Sequence, residues 1–234
     1  MKVALIFIAI LLVGTGVLTG GLGVSINTSL TVVMMIFPIV MIASAVKRVE
    51  KPNHSSPEVP KMNPESRRSL DMENAETQFK LGLAFRLGTG VPQNSELAFA
   101  WIQKSAGMGF AEAQNMLGFM YDRGEGISQN KTEAYNWYLL SAQQGNSKGQ
   151  ANLGYMLADE DSEFHDYVLA AKWLLKAAEQ GVETAQEKLG ELYYWGHGVQ
   201  KNYTEAAKWY RLAAAQGSQE AERMLGVIQI NGLA

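Results

Sequence analysis

The chain has 234 residues, 47% of them hydrophobic and 18% charged, with no cysteine and a formal net charge of −3. A mean hydropathy of −0.09 and this mild acidity exclude both a disordered polar chain and the basic surface a nucleic-acid binder needs. The averages conceal an uneven distribution, because no charge lies between Lys2 and Lys47, a run of 44 residues.

A hydrocarbon core about 30 Å thick takes about 20 apolar helical residues. The uncharged run therefore predicts a membrane hairpin over 1–46, with transmembrane helices at about 3–22 and 29–46. Gly23, Ser25, Asn27 and Thr28 supply the reversal between them. Pro38 is tolerated in the second span because neighbouring groups in the membrane satisfy the freed carbonyl. A cleaved signal peptide is the competing reading of the first span, with Lys2 as its basic end and cleavage within GTGVLTGGLG. No Ala-x-Ala triplet follows that first apolar run, and without cysteine there is no lipoprotein. In either version 29–46 stays in the membrane as one of one or two transmembrane helices. Lys47, Arg48 and Lys51 follow it, which by the positive-inside rule puts the remainder in the cytoplasm, beneath a membrane of the bacterial inner type. The runner-up is an envelope protein whose remainder lies outside the cytoplasm and regulates cell-wall or secretion machinery. Gly16 and Gly20 form a G-x-x-x-G pair that suits packing against the second span or a second copy, so homo-oligomerisation stays open.

Residues 47–74 read as a linker. Pro52, Pro57, Pro60 and Pro64 interrupt any helix, and Asn53, His54, Ser55 and Ser56 are polar. Lys47, Arg48, Lys51, Lys61, Arg67 and Arg68 outnumber Glu50, Glu58 and Glu65, a modest basic excess on a solvated tether.

From Ala75 onward the sequence repeats. Leu-Gly recurs at 81–82, 117–118, 153–154, 189–190 and 225–226, always 36 residues apart. Trp101, Trp137, Trp173 and Trp209 keep the same interval, as do Ala98, Ala134, Ala170 and Ala206. The units are 75–110, 111–146, 147–182 and 183–218, with a partial fifth at 219–234. Each has the pattern of two helices. In AEAQNMLGFMYDR the residues Ala113, Met116, Leu117, Met120 and Tyr121 form one apolar stripe, which ends at Gly124. The second helices are predicted to start after Asn94, Asn130, Asp166 and Asn202, as N-caps, and to stop at Gly109, Gly145, Gly181 and Gly217. Such a pair cannot bury its stripe alone, so the pairs must stack, and the four tryptophans are expected in the core. The fold class is thus all-α: an α/α solenoid of 36-residue helix-turn-helix repeats, preceded by one or two transmembrane helices.

The stretch LGFMYDRGEGISQNKTEAYNWYLLSAQQGN, echoed by LGELYYWGHGVQKNYTEAAKWYRLAAAQGS, resembles the SEL-like repeat family, relatives of the tetratricopeptide repeats. The resemblance covers 160 residues. It implies a solenoid whose first helices line a concave groove that binds a protein or peptide partner, as an adaptor or scaffold. If that groove follows tetratricopeptide geometry, its lining falls two before and two and five after each repeated Leu. These positions are Phe79, Leu83 and Arg86; Asn115, Phe119 and Asp122; Ala151, Tyr155 and Ala158; Glu187, Glu191 and Tyr194. Trp195 joins them as an aromatic beyond the shared pattern. Repeat three departs from the others, with Glu160, Asp161 and Ser162 where they have Gly-x-Gly, so its turn is expected to be reshaped.

No enzyme, cofactor or metal is expected. His54, His165 and His197 fall in the linker and in turns, with no His-x-x-x-His pair and no phosphate loop. Asp159, Glu160, Asp161, Glu163, His165 and Asp166 lack the spacing of a calcium loop and read as a solvated acidic turn. Residues 75–234 carry 13 Lys and Arg against 18 Asp and Glu, a balance of −5, which disfavours phosphate and with it nucleic acid. The expected partners are a protein or peptide at the repeats and the membrane at the N-terminal helices. The partial fifth repeat is expected to cap the array, or to offer Val227, Ile228 and Ile230 to a second chain.

Overall fold

The structure, a computed structural model, describes residues 74–233. The predicted spans at 3–22 and 29–46, and the linker up to 73, lie outside the described residues. Among the described residues no helix is long and apolar enough to cross a membrane.

Nine helices of 12 or 13 residues account for most of the described chain. In order they are α1 (Ala75–Leu87) and α2 (Ser95–Gly107), then α3 (Ala111–Arg123) and α4 (Lys131–Gln143). There follow α5 (Ser147–Ala158) and α6 (Tyr167–Glu179), α7 (Glu183–Trp195) and α8 (Tyr203–Ala214), and finally α9 (Gln219–Ile230). The even-numbered helices start where the capping residues require. Asn94, Asn130, Asp166 and Asn202 accept from the amides of Leu97, Glu133, Leu169 and Glu205 at 2.9–3.0 Å. The odd-numbered helices α1, α3 and α7 close on Gly88, Gly124 and Gly196 in the left-handed region, each returning its amide to a carbonyl four residues back. Helix α5 instead closes on Asp159 with an extended backbone, because no glycine stands there, and the turn of repeat three is reshaped as its sequence implied.

Each helix packs on the next in sequence, and α5 also touches both α3 and α7, so these odd helices form one face of the array and the even helices the other. The repeated Leu-Gly pair explains the closeness within a unit. Leu117, Leu153 and Leu189 are buried, and a Cβ on Gly118 would stand 2.7 Å from the Tyr138 ring, one on Gly154 2.6 Å from Leu174. Only glycine admits those side chains at that distance.

A polar ladder joins the units. Buried Gln114, Gln150 and Gln186 donate from Nε2 to the carbonyls of Ala106, Ala142 and Ala178, the ends of the preceding even helices. Their own Oε1 atoms accept from Gln144, Gln180 and Gln216 of the following even helices at 2.6–2.8 Å. Each glutamine side chain thus satisfies helix-end groups that burial would otherwise leave unpaired.

Trp101, Trp137 and Trp209 are buried as expected, but Trp173 is only half-buried. It packs at the edge of the central apolar cluster, with the Lys176 ammonium 4.5 Å above its ring. At the last helix Ala221, Met224 and Ile228 are buried against α8, while Ile230 is 87% exposed. The α9 positions that correspond to Gln186 and Tyr193 hold Glu222 and Gln229, both exposed.

Candidate protein-binding groove

Helices α3, α5 and α7 leave between them a cavity of about 1040 Å³ on the face of the odd helices. Five aromatic residues line it. Phe119 comes from α3, Tyr155 from α5, Trp195 from the end of α7, and Tyr138 and Tyr167 reach in from α4 and α6. Stacking of whole units produces this convergence, since residues 36 apart occupy equivalent places on adjacent helices.

The structure brings Phe119, Asp122, Tyr155, Ala158, Glu191 and Trp195 of the predicted set together in this cavity. Asn115 lies buried below, accepting from Asn152 Nδ2 at 2.8 Å, and Asn152 in turn faces the cavity. Arg86 stands at the neighbouring unit, held bidentately by Glu125 at 2.8 and 3.0 Å, with its guanidinium 5.2 Å from the centre of the Phe119 ring. Phe79 packs edge-on against Phe110 and Leu83 is half-buried, and neither lines the cavity. Ala151 is buried. Glu187, with Glu191 and Trp195, borders a smaller hollow of about 300 Å³ against Tyr210, Glu220 and Arg223. Tyr194 turns instead to Tyr203 of α8, ring centres 5.2 Å apart.

One wall is the turn at 159–163, which the sequence presents only as a solvated acidic loop. Its orientation is fixed by neutral donors. The Tyr167 hydroxyl donates to Glu160 and the Thr132 hydroxyl to Glu163, the latter at 3.3 Å. Asp159 accepts from the Asp161 amide at 3.2 Å. Tyr167 is itself wedged between two imidazoles, stacked on His197 at 4.6 Å and edge-on to His165 at 4.4 Å. Its hydrogen bond to Glu160, followed by desolvation, pushes the Tyr167 phenol up to about 12, so it remains a donor across the physiological range. Burial does the same for Tyr155, pushed up to about 12, while its hydroxyl donates to the Thr184 carbonyl at 2.6 Å.

The charges in the cavity are six carboxylates, from Asp122, Asp159, Glu160, Asp161, Glu163 and Glu191, against three cations, from Arg123, Lys131 and Lys188. Lys131 is spent on Asp122, and Lys188 on both oxygens of Glu191 at 2.9 Å. Lys131, Lys188, Asn152 and the acidic turn were outside the predicted set. The signal that pointed to the turn was the loss of Gly-x-Gly in repeat three alone. Among the described residues no group of three His, Asp or Glu converges as a metal site. What the arrangement supplies is a broad cleft with stacking surfaces and fixed charge.

The Sel1 repeat family matches residues 75–110, 111–146, 147–182 and 184–218. Among solved structures, a Sel1 repeat protein from Oxalobacter formigenes is 30% identical, with a TM-score of 0.64, over 74% of this chain and 68% of that one. A protective antigen of uropathogenic Escherichia coli displaying an SLR fold is 32% identical, with a TM-score of 0.49, over 72% of this chain and 44% of that one. No curated protein matches the chain.

Proposed function

Given that this chain belongs to the Sel1 repeat family, we propose that it is a membrane-anchored adaptor or scaffold whose odd-helix groove binds a protein or peptide partner. The observation that carries this reading is the cavity of about 1040 Å³ built jointly by three consecutive units, with Phe119, Tyr155 and Trp195 presented to it. Aromatic residues of this kind dominate the energetics of protein recognition, and Trp195 keeps 55% of its surface exposed, whereas Trp101, Trp137 and Trp209 on the even helices are buried. The anchor rests on the uncharged residues 3–46, and the cytoplasmic side on Lys47, Arg48 and Lys51 immediately after them. Tethering would raise the local concentration of a partner that works at the membrane.

Affinity purification of the full chain, wild type against Phe119→Ala with Tyr155→Ala, tests the groove. Partner recovery is expected to fall while thermal melting shows the array still folded, and unchanged recovery would remove the groove assignment. Reporter fusions after residue 50 and at residue 234 test the side of the membrane, and activity of an export-dependent reporter at both would sink the cytoplasmic reading.

A further inference from the structure

The groove has a sign. Two of its three cations are consumed by its own carboxylates, Lys131 by Asp122 and Lys188 by Glu191. The turn at 159–163 keeps its charge. Glu160 and Glu163 accept from neutral hydroxyls, which orient a carboxylate without neutralising it, and among the described residues none of Asp159, Glu160, Asp161 and Glu163 is in an ion pair. Four negative charges within five residues therefore border a cleft too large for a single ion, inside an array whose overall balance is −5.

The aromatic lining offers ring faces. Lys104, Lys176 and Lys208 already sit 4.5–5.2 Å over Trp101, Trp173 and Trp209, whereas among the described residues no cation covers the exposed Trp195. A cation placed between an indole face and a carboxylate cluster gains from both. Acidic segments and anionic lipid surfaces meet repulsion in the same place.

We propose that the groove receives an extended lysine- or arginine-bearing segment of a partner protein, its cations drawn to the 159–163 turn and the Trp195 ring and its apolar side chains resting on Tyr155. This rests on reading the groove as a protein-binding site. It adds the charge of the partner, which the fold alone leaves open. The rival occupant is the chain's own basic tether, which carries Lys61, Arg67 and Arg68.

The test presents the detergent-solubilised full chain with an immobilised library of randomised decapeptides and sequences those retained. Lysine and arginine should be enriched, and the strongest peptide should lose about tenfold in affinity, the equivalent of one charge-assisted contact, against Glu160→Gln with Asp161→Asn and Glu163→Gln. These near-isosteric changes lie on an exposed turn, and an unchanged melting temperature confirms the fold. Retained peptides without cationic enrichment, lost in Phe119→Ala with Tyr155→Ala, would overturn the charge assignment and leave the binding site standing. If peptides are retained only after Lys61→Ala with Arg67→Ala and Arg68→Ala, the occupant is the chain's own tether and the partner assignment falls. No retention by either chain would overturn the charge assignment and the groove together.

Discussion

The backbone amide of Asp166 donates to the carbonyl of Leu157 at 2.9 Å, and the same bond, nine residues back, is made by Asn94 to Phe85, Asn130 to Tyr121 and Asn202 to Tyr193. Repeat three keeps this closure although its turn has lost both glycines. The chain between the two ends takes a different path, while the ends themselves are clamped at the spacing every unit shares. The Asp166 side chain adds the cap on Leu169. Asp166→Ala is expected to cost about 1 kcal/mol, the usual loss of an N-cap, and to lower the melting temperature by roughly 2–4 °C. Asp166→Asn, which keeps an acceptor oxygen, should melt close to wild type, and thermal denaturation followed by circular dichroism compares the three.

Two glycines of the same repeated pair should respond in opposite directions to alanine. Gly118→Ala drives a methyl to 2.7 Å from the Tyr138 ring and should destabilise by about 1–3 kcal/mol through overpacking. Gly226 has nothing within 4 Å of the added methyl, so there the helix-forming advantage of alanine, about 0.5–1 kcal/mol, is expected to appear as a gain. Denaturant midpoints of the two variants measure both signs.

Leu153 is fully buried in the central cluster, and Leu153→Ala should cost about 2–5 kcal/mol. Trp173→Ala removes a larger side chain from a half-buried place at the edge of the same cluster, and is expected to cost less than Trp137→Ala in the neighbouring unit. Equilibrium unfolding of the three variants orders them, and an equal loss at Trp173 and Trp137 would contradict the burial difference.

High pH should unfold the array. Burial raises the phenols of Tyr138, Tyr155 and Tyr210 above their ordinary value, Tyr155 to about 12. Their neutral forms are the ones the fold prefers. That stability is complete below about pH 10, where unfolded tyrosine ionises, and is lost progressively as pH rises through the folded values. The denaturation midpoint is expected to be flat near neutrality and to fall above about pH 10, with a smaller fall in Tyr155→Phe.

The 36-residue interval made the helical pairs, their caps and their stacking legible, because residues that must meet in every joint recur in every unit. The groove was legible only in its middle. Phe119, Asp122, Tyr155 and Glu191 lie on α3, α5 and α7, which line the cavity, whereas Phe79 and Leu83 lie on α1 and do not. Tyr194 was placed by counting from Leu189, yet its ring follows the local pull of Tyr203. The acidic turn is exposed as its sequence implied, and what the sequence did not show is that it borders a cavity shared with α3, α5 and α7. The glutamines at 114, 150 and 186 also recur at 36 residues, but a polar residue in a helix reads as surface until a neighbouring helix end is laid over it.

The glutamine ladder makes the three joints between the four full repeats the same joint. Excising residues 147–182 would bring Ala142 to the place of Ala178 and Gly145 to that of Gly181, and Gln186 would find the acceptor it now has, with Gln216 still donating to it. The length of the rod is therefore counted in whole cassettes. The one cassette that carries the 159–163 turn is also one whose flanking joint would still close without it, so the turn and the joints are written in separable pieces of the same repeat.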